Sequence, residues 1–292
     1  SYNCTISTTK NEGITLSNSG TSTLTIGSGG TLQASGYPSS NKSINAIELK
    51  GSNGTNATLE KLINDGTIKG KIGIENGDGG FTGTITVKTF DNKNNGFIDG
   101  HIYMGIWGGN GGTISIETFN NAGTITMTNT TNHNDGVIYF EKGNIHIQTF
   151  RNTGTIKGDD DGKNGQGVYF KDIRVVKTFE NTGFISGSGD DSQAGGLHTG
   201  GGVVMSGGTI ETFKNSGTIQ STGTNHNPAG VKLNYATVKT FENIGLISGI
   251  NGFLTTKGTI ETFKNSGTIA STSGAAIKIQ AVYSNTSSIA HF

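Results

Sequence analysis

A ten-residue motif recurs along most of this chain and limits the folds that the chain can adopt. The motif is Ile/Val-x-Thr-Phe-x-Asn-x-Gly-x-Ile. Seven copies cover Val87–Ile98 (with two extra residues in the turn), Ile116–Ile125, Ile147–Ile156, Val176–Ile185, Ile210–Ile219, Val238–Ile247 and Ile260–Ile269, and a degenerate eighth copy covers Leu59–Ile68. A rigid unit recurring every ~30 residues is typical of repeat proteins in which each copy packs on its neighbours.

A second apolar run follows the motif in each period, after a stretch rich in Gly and Asn. Examples are Val137–Phe140, Val168–Phe170, Val231–Leu233 and Ile277–Ile279. Short β-branched and aromatic runs between such turns indicate strands, and no helical period is present. Charged residues make up only 14% of the chain, which favours a thin extended core over a large compact one. We predict an all-β fold, a right-handed parallel β-helix (β-solenoid) with about three short strands per coil.

Charge alternation supports this stacking. The residue before the motif Thr is Glu60, Lys88, Glu117, Gln148, Lys177, Glu211, Lys239 and Glu261 in successive copies, and the residue after the Phe is Asp91, Asn120, Arg151, Glu180, Lys214, Glu242 and Lys264. Equivalent residues of stacked coils lie about 4.8 Å apart, where like charges repel. Neither series places like charges on adjacent coils. We expect the Phe residues to stack inside the core, with a bend or bulge near Thr-Phe.

The Asn and Gly of the motif predict a turn. An Asn side chain can bond the backbone and tolerates a left-handed conformation, and Gly adopts positive φ at little cost. We divide the chain into residues 1–58, an N-terminal cap with irregular first coils, and residues 59–292, a β-helix of eight repeat copies with an incomplete C-terminal coil.

From Leu59 onward the Thr-Phe-x-Asn-x-Gly-Thr-Ile unit resembles the passenger domains of type V autotransporters, in particular the surface autotransporters of Campylobacter and Helicobacter. The resemblance implies a β-helix from a Gram-negative bacterium, located at the cell surface and outer membrane or secreted. It also implies a role in virulence through adhesion, aggregation or toxin-like contact with host cells. Because Ser1–Thr5 lacks a signal-peptide pattern, we expect an excised passenger that contacts the membrane only through a missing translocator barrel.

Net charge argues against a nucleic-acid partner. The 21 basic and 21 acidic side chains cancel, so the basic patch that binds a polyanion is not expected. A single cysteine, Cys4, excludes an internal disulfide.

Acidic loops offer the best candidate metal site. Asp159 and Asp161 lie one coil before Asp190 and Asp191, and Ca²⁺ prefers such carboxylate oxygens. A solvated acidic edge explains the same residues, so we expect no cofactor, with Ca²⁺ as the one ion to consider. A polysaccharide lyase or hydrolase needs converging acids or a basic group. Arginine is scarce in this chain, which argues against a lyase.

Binding residues are expected among the aromatic and loop side chains. Trp107, Tyr139 and Tyr169 lie in or beside the third-strand runs, where some are expected to face solvent as an aromatic stripe. His133 and His226 occupy identical Thr-Asn-His-Asn loops. The long loops 126–136, 157–167, 186–202 and 220–230 all follow the same strand and should project on one side.

These features together predict a non-enzymatic adhesin that displays loops on a rigid β-helix. Its partner would be a host-cell surface protein or glycan, with self-association as a second mode. Two alternatives stay open: a toxin-like passenger that oligomerises on host membranes, and a Ca²⁺-dependent polysaccharide lyase or hydrolase.

Overall fold

A computed structural model describes residues 2–17, 19–38, 44–52, 54–76, 82–106, 111–128, 136–158, 165–188, 200–224, 227–280 and 287–291. Strands are the only regular elements in this part of the chain. They are β1 Tyr2–Ile6, β2 Thr9–Lys10, β3 Ile14–Thr15, β4 Gly20–Ile26, β5 Thr31–Gln33, β6 Asn45–Gly51, β7 Ala57–Asn64, β8 Thr67–Lys69, β9 Lys71–Asn76, β10 Thr84–Asn92, β11 Phe97–Asp99, β12 Ile102–Ile106, β13 Thr113–Asn121, β14 Thr124–Thr126, β15 Ile138–Glu141, β16 Asn144–Asn152, β17 Thr155–Lys157, β18 Val168–Lys171, β19 Val175–Asn181, β20 Phe184–Gly187, β21 Gly201–Ser206, β22 Thr209–Asn215, β23 Thr218–Ser221, β24 Ala229–Asn234, β25 Thr237–Asn243, β26 Leu246–Gly249, β27 Asn251–Thr256, β28 Thr259–Asn265, β29 Thr268–Ser271, β30 Ile277–Gln280 and β31 Ser288–His291. No helix long and apolar enough to cross a membrane occurs among these residues.

The strands form three parallel sheets that run the length of the molecule. Every third strand joins the same sheet: sheet A holds 11 strands from β1 to β31, sheet B holds 10 from β2 to β29, and sheet C holds 10 from β3 to β30. The fold is therefore a parallel β-helix with three strands per coil, as predicted. Strands β1–β6 pair into the same sheets, so the irregular N-terminal sequence also forms coils.

The motif Phe residues form a continuous stack inside the solenoid, as predicted. Adjacent rings from Phe90 to Phe263 lie 4.4–5.1 Å apart with interplanar angles of 4–11°. Phe140 and Phe170 of sheet C meet this stack edge-on, for example at 5.9 Å between Phe150 and Phe170. Offset-stacked and edge-on contacts are the favourable arrangements for aromatic pairs, so the core gains more than area burial alone.

The motif Asn residues form a second internal column. Each Asn ends a sheet A strand, and the first seven are buried and donate their side-chain Nδ2 to the Oδ1 of the Asn in the next coil at 2.7–2.8 Å, whereas the last, Asn265, is exposed and only accepts within the column. The series runs Asn64, Asn92, Asn121, Asn152, Asn181, Asn215, Asn243 and Asn265. The Nδ2 groups also reach backbone carbonyls, such as Gly183 O from Asn181 at 3.2 Å. The expected bonds to the backbone are therefore confirmed, and an amide ladder is added.

The prediction of a left-handed backbone conformation at this turn is wrong. Neither the motif Asn nor the following Gly has a positive φ. Glycine is needed there for space: a Cβ on Gly183 would lie 2.2 Å from Gly154 O of the previous coil, and one on Gly217 would lie 2.1 Å from Gly183 O. Most left-handed residues of the described ranges lie at the corner between sheets C and A instead, as at Lys142 with φ 59°.

The charge columns stack as predicted. Register pairs Arg151 with Glu180 and Glu180 with Lys214. Ion pairs join Arg151 to Glu180 at 3.3 Å, Lys88 to Glu60 at 2.8 Å and Lys239 to Glu211 at 3.3 Å. These pairs are solvent-exposed, so each contributes at most about 1 kcal/mol.

The predicted bend lies directly before the Phe. In β13, Glu117 and Thr118 are both at least partly exposed between the buried Ile116 and Phe119. Later coils repeat this interruption of the in-out alternation, so the register is preserved along sheet A. Strand β4 lacks the extra residue, and its register with β7 shifts between Ser22 and Thr23.

Gly183→Ala should destabilise the protein. The added methyl group must push two coils apart, and we expect a loss of about 2 kcal/mol or more in the free energy of unfolding. Gly27→Ala is the matched control, because its nearest contact would be Ile6 O at an ordinary 3.6 Å and its φ is not positive. Urea unfolding followed by circular dichroism measures both variants, and equal losses would contradict the steric account.

Two adjacent asparagines test the amide ladder. Asn121 is fully buried and bonds both neighbouring coils, whereas Asn120 lies on the outer face with one bond to Asp91 at 2.7 Å. Asn121→Ala leaves buried amide groups without partners and should cost about 2 kcal/mol or more, against less than about 1 kcal/mol for Asn120→Ala. Thermal unfolding of both variants would refute the ladder if Asn121→Ala proved no worse than Asn120→Ala.

Candidate functional site

Most of the predicted site residues lie outside the described residues. These are Trp107, His133, Asp159, Asp161, Asp190, Asp191 and His226. Their roles remain predictions, and so does Ca²⁺ binding. Within the described ranges, no group of three or more His, Cys, Asp or Glu side chains is placed to hold a metal ion.

Tyr139 and Tyr169 occupy the outer face of sheet C. Both lie between inward-facing core residues of β15 and β18, and together with Tyr103 and Val204 they form an apolar cluster separate from the main core. The Tyr139 and Tyr169 rings stack at 5.0 Å, and the Tyr103 and Tyr139 rings lie 5.6 Å apart. We call these four residues the outer aromatic cluster.

The outer aromatic cluster is covered rather than exposed. Tyr139 is 2% exposed and Tyr169 is 3% exposed. These two rings therefore do not belong to a solvent-facing aromatic stripe, whereas Tyr235 is 48% exposed. A simple in-out alternation places these rings on the outside correctly, but it cannot tell whether other parts of the chain then fold over them.

A partly buried ion pair anchors the cluster. Lys171 donates its Nζ to Glu141 Oε1 at 2.8 Å and to the Tyr139 hydroxyl at 3.2 Å, while the Tyr103 hydroxyl donates to Glu141 Oε2 at 3.1 Å. Lys71 places its Nζ 4.8 Å from the centre of the Tyr103 ring. The carboxylate and the ammonium groups are thus held by several contacts each, which makes the arrangement specific.

Glycine permits the path of the Tyr103 side chain. A Cβ on Gly105 would lie 2.1 Å from the Tyr103 hydroxyl oxygen, so the side chain runs over this residue toward Glu141. Nearby, His101 Nδ1 lies 2.8 Å from Gly136 O, and the His101 ring is 5.7 Å from that of Tyr103. His101 therefore links the backbone at Gly136 to the Tyr103 ring of the cluster.

Electrostatics keep Glu141 ionised. Burial favours its neutral form, but hydrogen bonds from Lys171, Tyr139 and Tyr103 outweigh this, and the pKa of Glu141 lies below its ordinary value. Burial raises the pKa of Tyr169. Glu141 is therefore a bonded carboxylate near neutral pH and lacks the proton that a general acid must donate.

Glu141 and Lys171 were missed by the sequence-based selection of site residues. They occupy the same outward column, two residues after Tyr139 and Tyr169. Aligning the third strands coil by coil would have placed a carboxylate beside an ammonium group on adjacent coils.

A second polar cluster lies beside sheet B. Asp99 is 7% exposed and accepts bonds from the Thr128 amide at 3.1 Å, from the Thr128 hydroxyl at 2.9 Å and from the Tyr37 hydroxyl. Burial, followed by the contact with Asp99, raises the pKa of Tyr37. This cluster joins the connection after β5 to a coil well beyond it, a contact that no repeat pattern reveals.

Long connections concentrate at the edge between sheets B and C. In four successive coils, residues 127–137, 158–167, 188–200 and 222–228 link a sheet B strand to a sheet C strand. In the same four coils, the corner between sheets A and B holds only the residue pairs 122–123, 153–154, 182–183 and 216–217. The predicted loops thus do follow the same strand and start from one edge, which we call the B–C edge.

Comparison with family models, with curated proteins and with solved structures gives no significant match. Function must therefore be inferred from the surfaces of the solenoid itself.

Glu141 should make stability depend on pH. A carboxylate whose folded-state pKa is depressed stabilises the protein above its unfolded-state pKa, and this contribution disappears as pH falls through the folded-state pKa. We expect Glu141→Gln to lower the free energy of unfolding by about 2 kcal/mol at pH 7. The difference from wild type should shrink as pH falls below the reference pKa of 4.5.

Glu60→Gln is the control, because it removes an exposed ion pair with Lys88 and should cost less than about 1 kcal/mol. Urea unfolding of the three proteins between neutral and acid pH makes the comparison. A Glu141→Gln difference that stays constant with pH would contradict the assigned charge state.

Proposed function

We propose that this chain is the β-helical passenger domain of an autotransporter and acts as an adhesin at the surface of a Gram-negative bacterium. The observation that carries the proposal is the B–C edge, where four successive coils each carry a long connection while the corner between sheets A and B stays tight. Recognition residues commonly lie on loops that a rigid scaffold positions. A host-cell surface protein or glycan is the proposed partner.

The scaffold supports this role through its regularity. In the four coils that carry these connections, the sheet B strands pair in parallel without a register shift, so the connections begin about 4.8 Å apart along one line. Such a row offers several contacts to one extended ligand, and contacts that act together strengthen binding without new chemistry. His133, Asp159, Asp161, Asp190, Asp191 and His226 all fall in these connections by sequence.

The resemblance of the repeat to autotransporter passengers supports the proposed location. The stacked motif explains the resemblance in physical terms, because its Phe, Asn and Gly each have a defined place in a parallel coil. Display at the cell surface or release from it is proposed on that ground.

Binding of the labelled full chain to cultured epithelial cells tests the proposal. An edge variant replaces residues 189–198 with a Gly-Ser linker. A matched corner variant, Thr153→Lys with Ser216→Lys, changes exposed residues between sheets A and B. We expect saturable binding that the edge variant weakens about tenfold or more and the corner variant changes less than about twofold.

EDTA separates the alternatives. Binding that survives EDTA and Asp159→Ala with Asp190→Ala favours the adhesin, whereas polysaccharide turnover lost under the same conditions would replace it with a Ca²⁺-dependent enzyme. Absence of cell binding, or equal loss in the edge and corner variants, would contradict the proposal.

A further inference from the structure

The outer face of sheet A differs from that of sheet C in being uncovered. Its central column consists of threonines in register on seven coils: Thr89, Thr118, Thr149, Thr178, Thr212, Thr240 and Thr262. All are half-buried, and the charged residues on either side are exposed or half-exposed. This surface, which we call the A face, is therefore free for contact.

Two charged columns flank the threonines. Column 1 consists of Lys88, Glu117, Gln148, Lys177, Glu211, Lys239 and Glu261, and column 2 consists of Asp91, Asn120, Arg151, Glu180, Lys214, Glu242 and Lys264. In five of these seven coils the two columns carry opposite charges, as with Lys177 and Glu180. The other two coils pair one charge with an amide, as with Gln148 and Arg151. Both columns therefore alternate in sign from coil to coil, and wherever both are charged, one is positive and the other is negative.

Stacking within one chain does not account for this opposition of sign between the columns. Stacking requires only that charges alternate in sign along each column. That requirement is met whether the two columns carry like or opposite charges in the same coil. The columns are three residues apart, about 10 Å along a strand, and charges at that separation are largely screened at physiological ionic strength. Several of these charges, including Lys177, Lys214 and Lys264, form no ion pair with the described residues.

We propose that the A face docks against the A face of a second copy of this chain, with both solenoids parallel and in register. A two-fold axis along the threonine column then places column 1 of each copy opposite column 2 of the other. Lys177 of one copy faces Glu180 of the other, Glu211 faces Lys214, and no like charges meet on any of the seven coils. The pairing is independent of the B–C edge and goes beyond the attachment function.

An antiparallel pair fits less well. With full overlap of the seven coils, Lys177 would face its own counterpart and Arg151 would face Lys214. Only a shorter overlap at one end avoids these like charges. The parallel arrangement is therefore the one that uses the whole pattern.

The interface is small. Seven coils extend for about 29 Å, and the face is only a few residues wide, which buries less than the roughly 800 Å² per partner of a standard stable complex. The interface has no apolar core that its ion pairs could surround. The association should therefore be weak in solution, sensitive to salt, and strengthened where many copies stand together on one surface.

Charge exchange between the columns provides the test. Variant X is Lys177→Glu with Glu261→Lys, and variant Y is Glu180→Lys with Lys264→Glu, so both keep the net charge at zero. Each variant opposes like charges in its own parallel dimer, whereas one copy of X and one of Y restore opposite charges at all four positions. Lys10→Glu with Glu12→Lys exchanges an exposed pair elsewhere and serves as the control.

Sedimentation velocity over a concentration series at low and high salt measures the association. We expect wild type and the control to self-associate at low salt, X and Y alone to associate about tenfold or more weakly, and the mixture to recover within about threefold of wild type. A monomeric wild type at high concentration and low salt, or X and Y that associate as wild type does, would overturn the proposal.

A crosslinking measurement covers the case in which X or Y does not fold. In a Cys4→Ser background, Thr240→Cys lies near the two-fold axis, and its thiol should form a disulfide with the same position of the second copy. Thr31→Cys on sheet B should not. Failure of Thr240→Cys to crosslink, or equal crosslinking by Thr31→Cys, would overturn the parallel arrangement. Because loop replacement at the B–C edge leaves the A face intact, loss of cell binding there should not change self-association.

Discussion

Close contact between glycines of successive coils sets the geometry on which the rest of this structure depends. At the corner between sheets A and B, from Gly123 to Gly267, a Cβ on each Gly would lie 2.1–2.3 Å from the carbonyl oxygen of the Gly one coil before, as with Gly183 and Gly154. That contact fixes how closely two coils approach. Once it is fixed, the Asn amides reach each other at 2.7–2.8 Å and the Phe rings stack face to face. A slip of one residue would turn the Phe outward and leave the Asn groups buried without partners.

The sequence predicted the inside of the solenoid better than the outside because the inside repeats. Equivalent residues of successive repeats contact each other when the coils stack in register. The Phe stack, the three strands per coil and the charge columns therefore all follow from the spacing of the repeats. The conformation of the Asn-x-Gly turn was predicted wrongly, since Gly at a turn indicates either positive φ or close backbone contact and the pattern does not distinguish them. The covered tyrosines were missed for a different reason. Glu141 and Lys171, which bond Tyr103 and Tyr139, lie outside the repeat motif and belong to only two coils.

The outer face of sheet C, the B–C edge and the A face differ in how regular and how exposed they are. Sheet C is covered along the tyrosines and holds a partly buried ion pair, so this part of its outer face has a structural role. The B–C edge carries sequence that varies in length and composition from coil to coil, as expected for recognition. The A face is regular and uncovered, with a charge pattern whose phase matches a second copy. The proposed attachment and the proposed self-association therefore use separate surfaces, and neither surface is part of the internal stack.

Exchange of the Asn side-chain amide protons with solvent, followed by NMR, tests the central claim most directly. The account predicts that the carboxamide protons of the buried ladder, from Asn92 to Asn243, exchange at least about 100-fold more slowly than those of Asn120 on the outer face. Protection should decline toward the coils at either end. Ladder amides that exchange as fast as Asn120 would show that the coils are not held by an internal column of hydrogen bonds, and the register described here would be wrong.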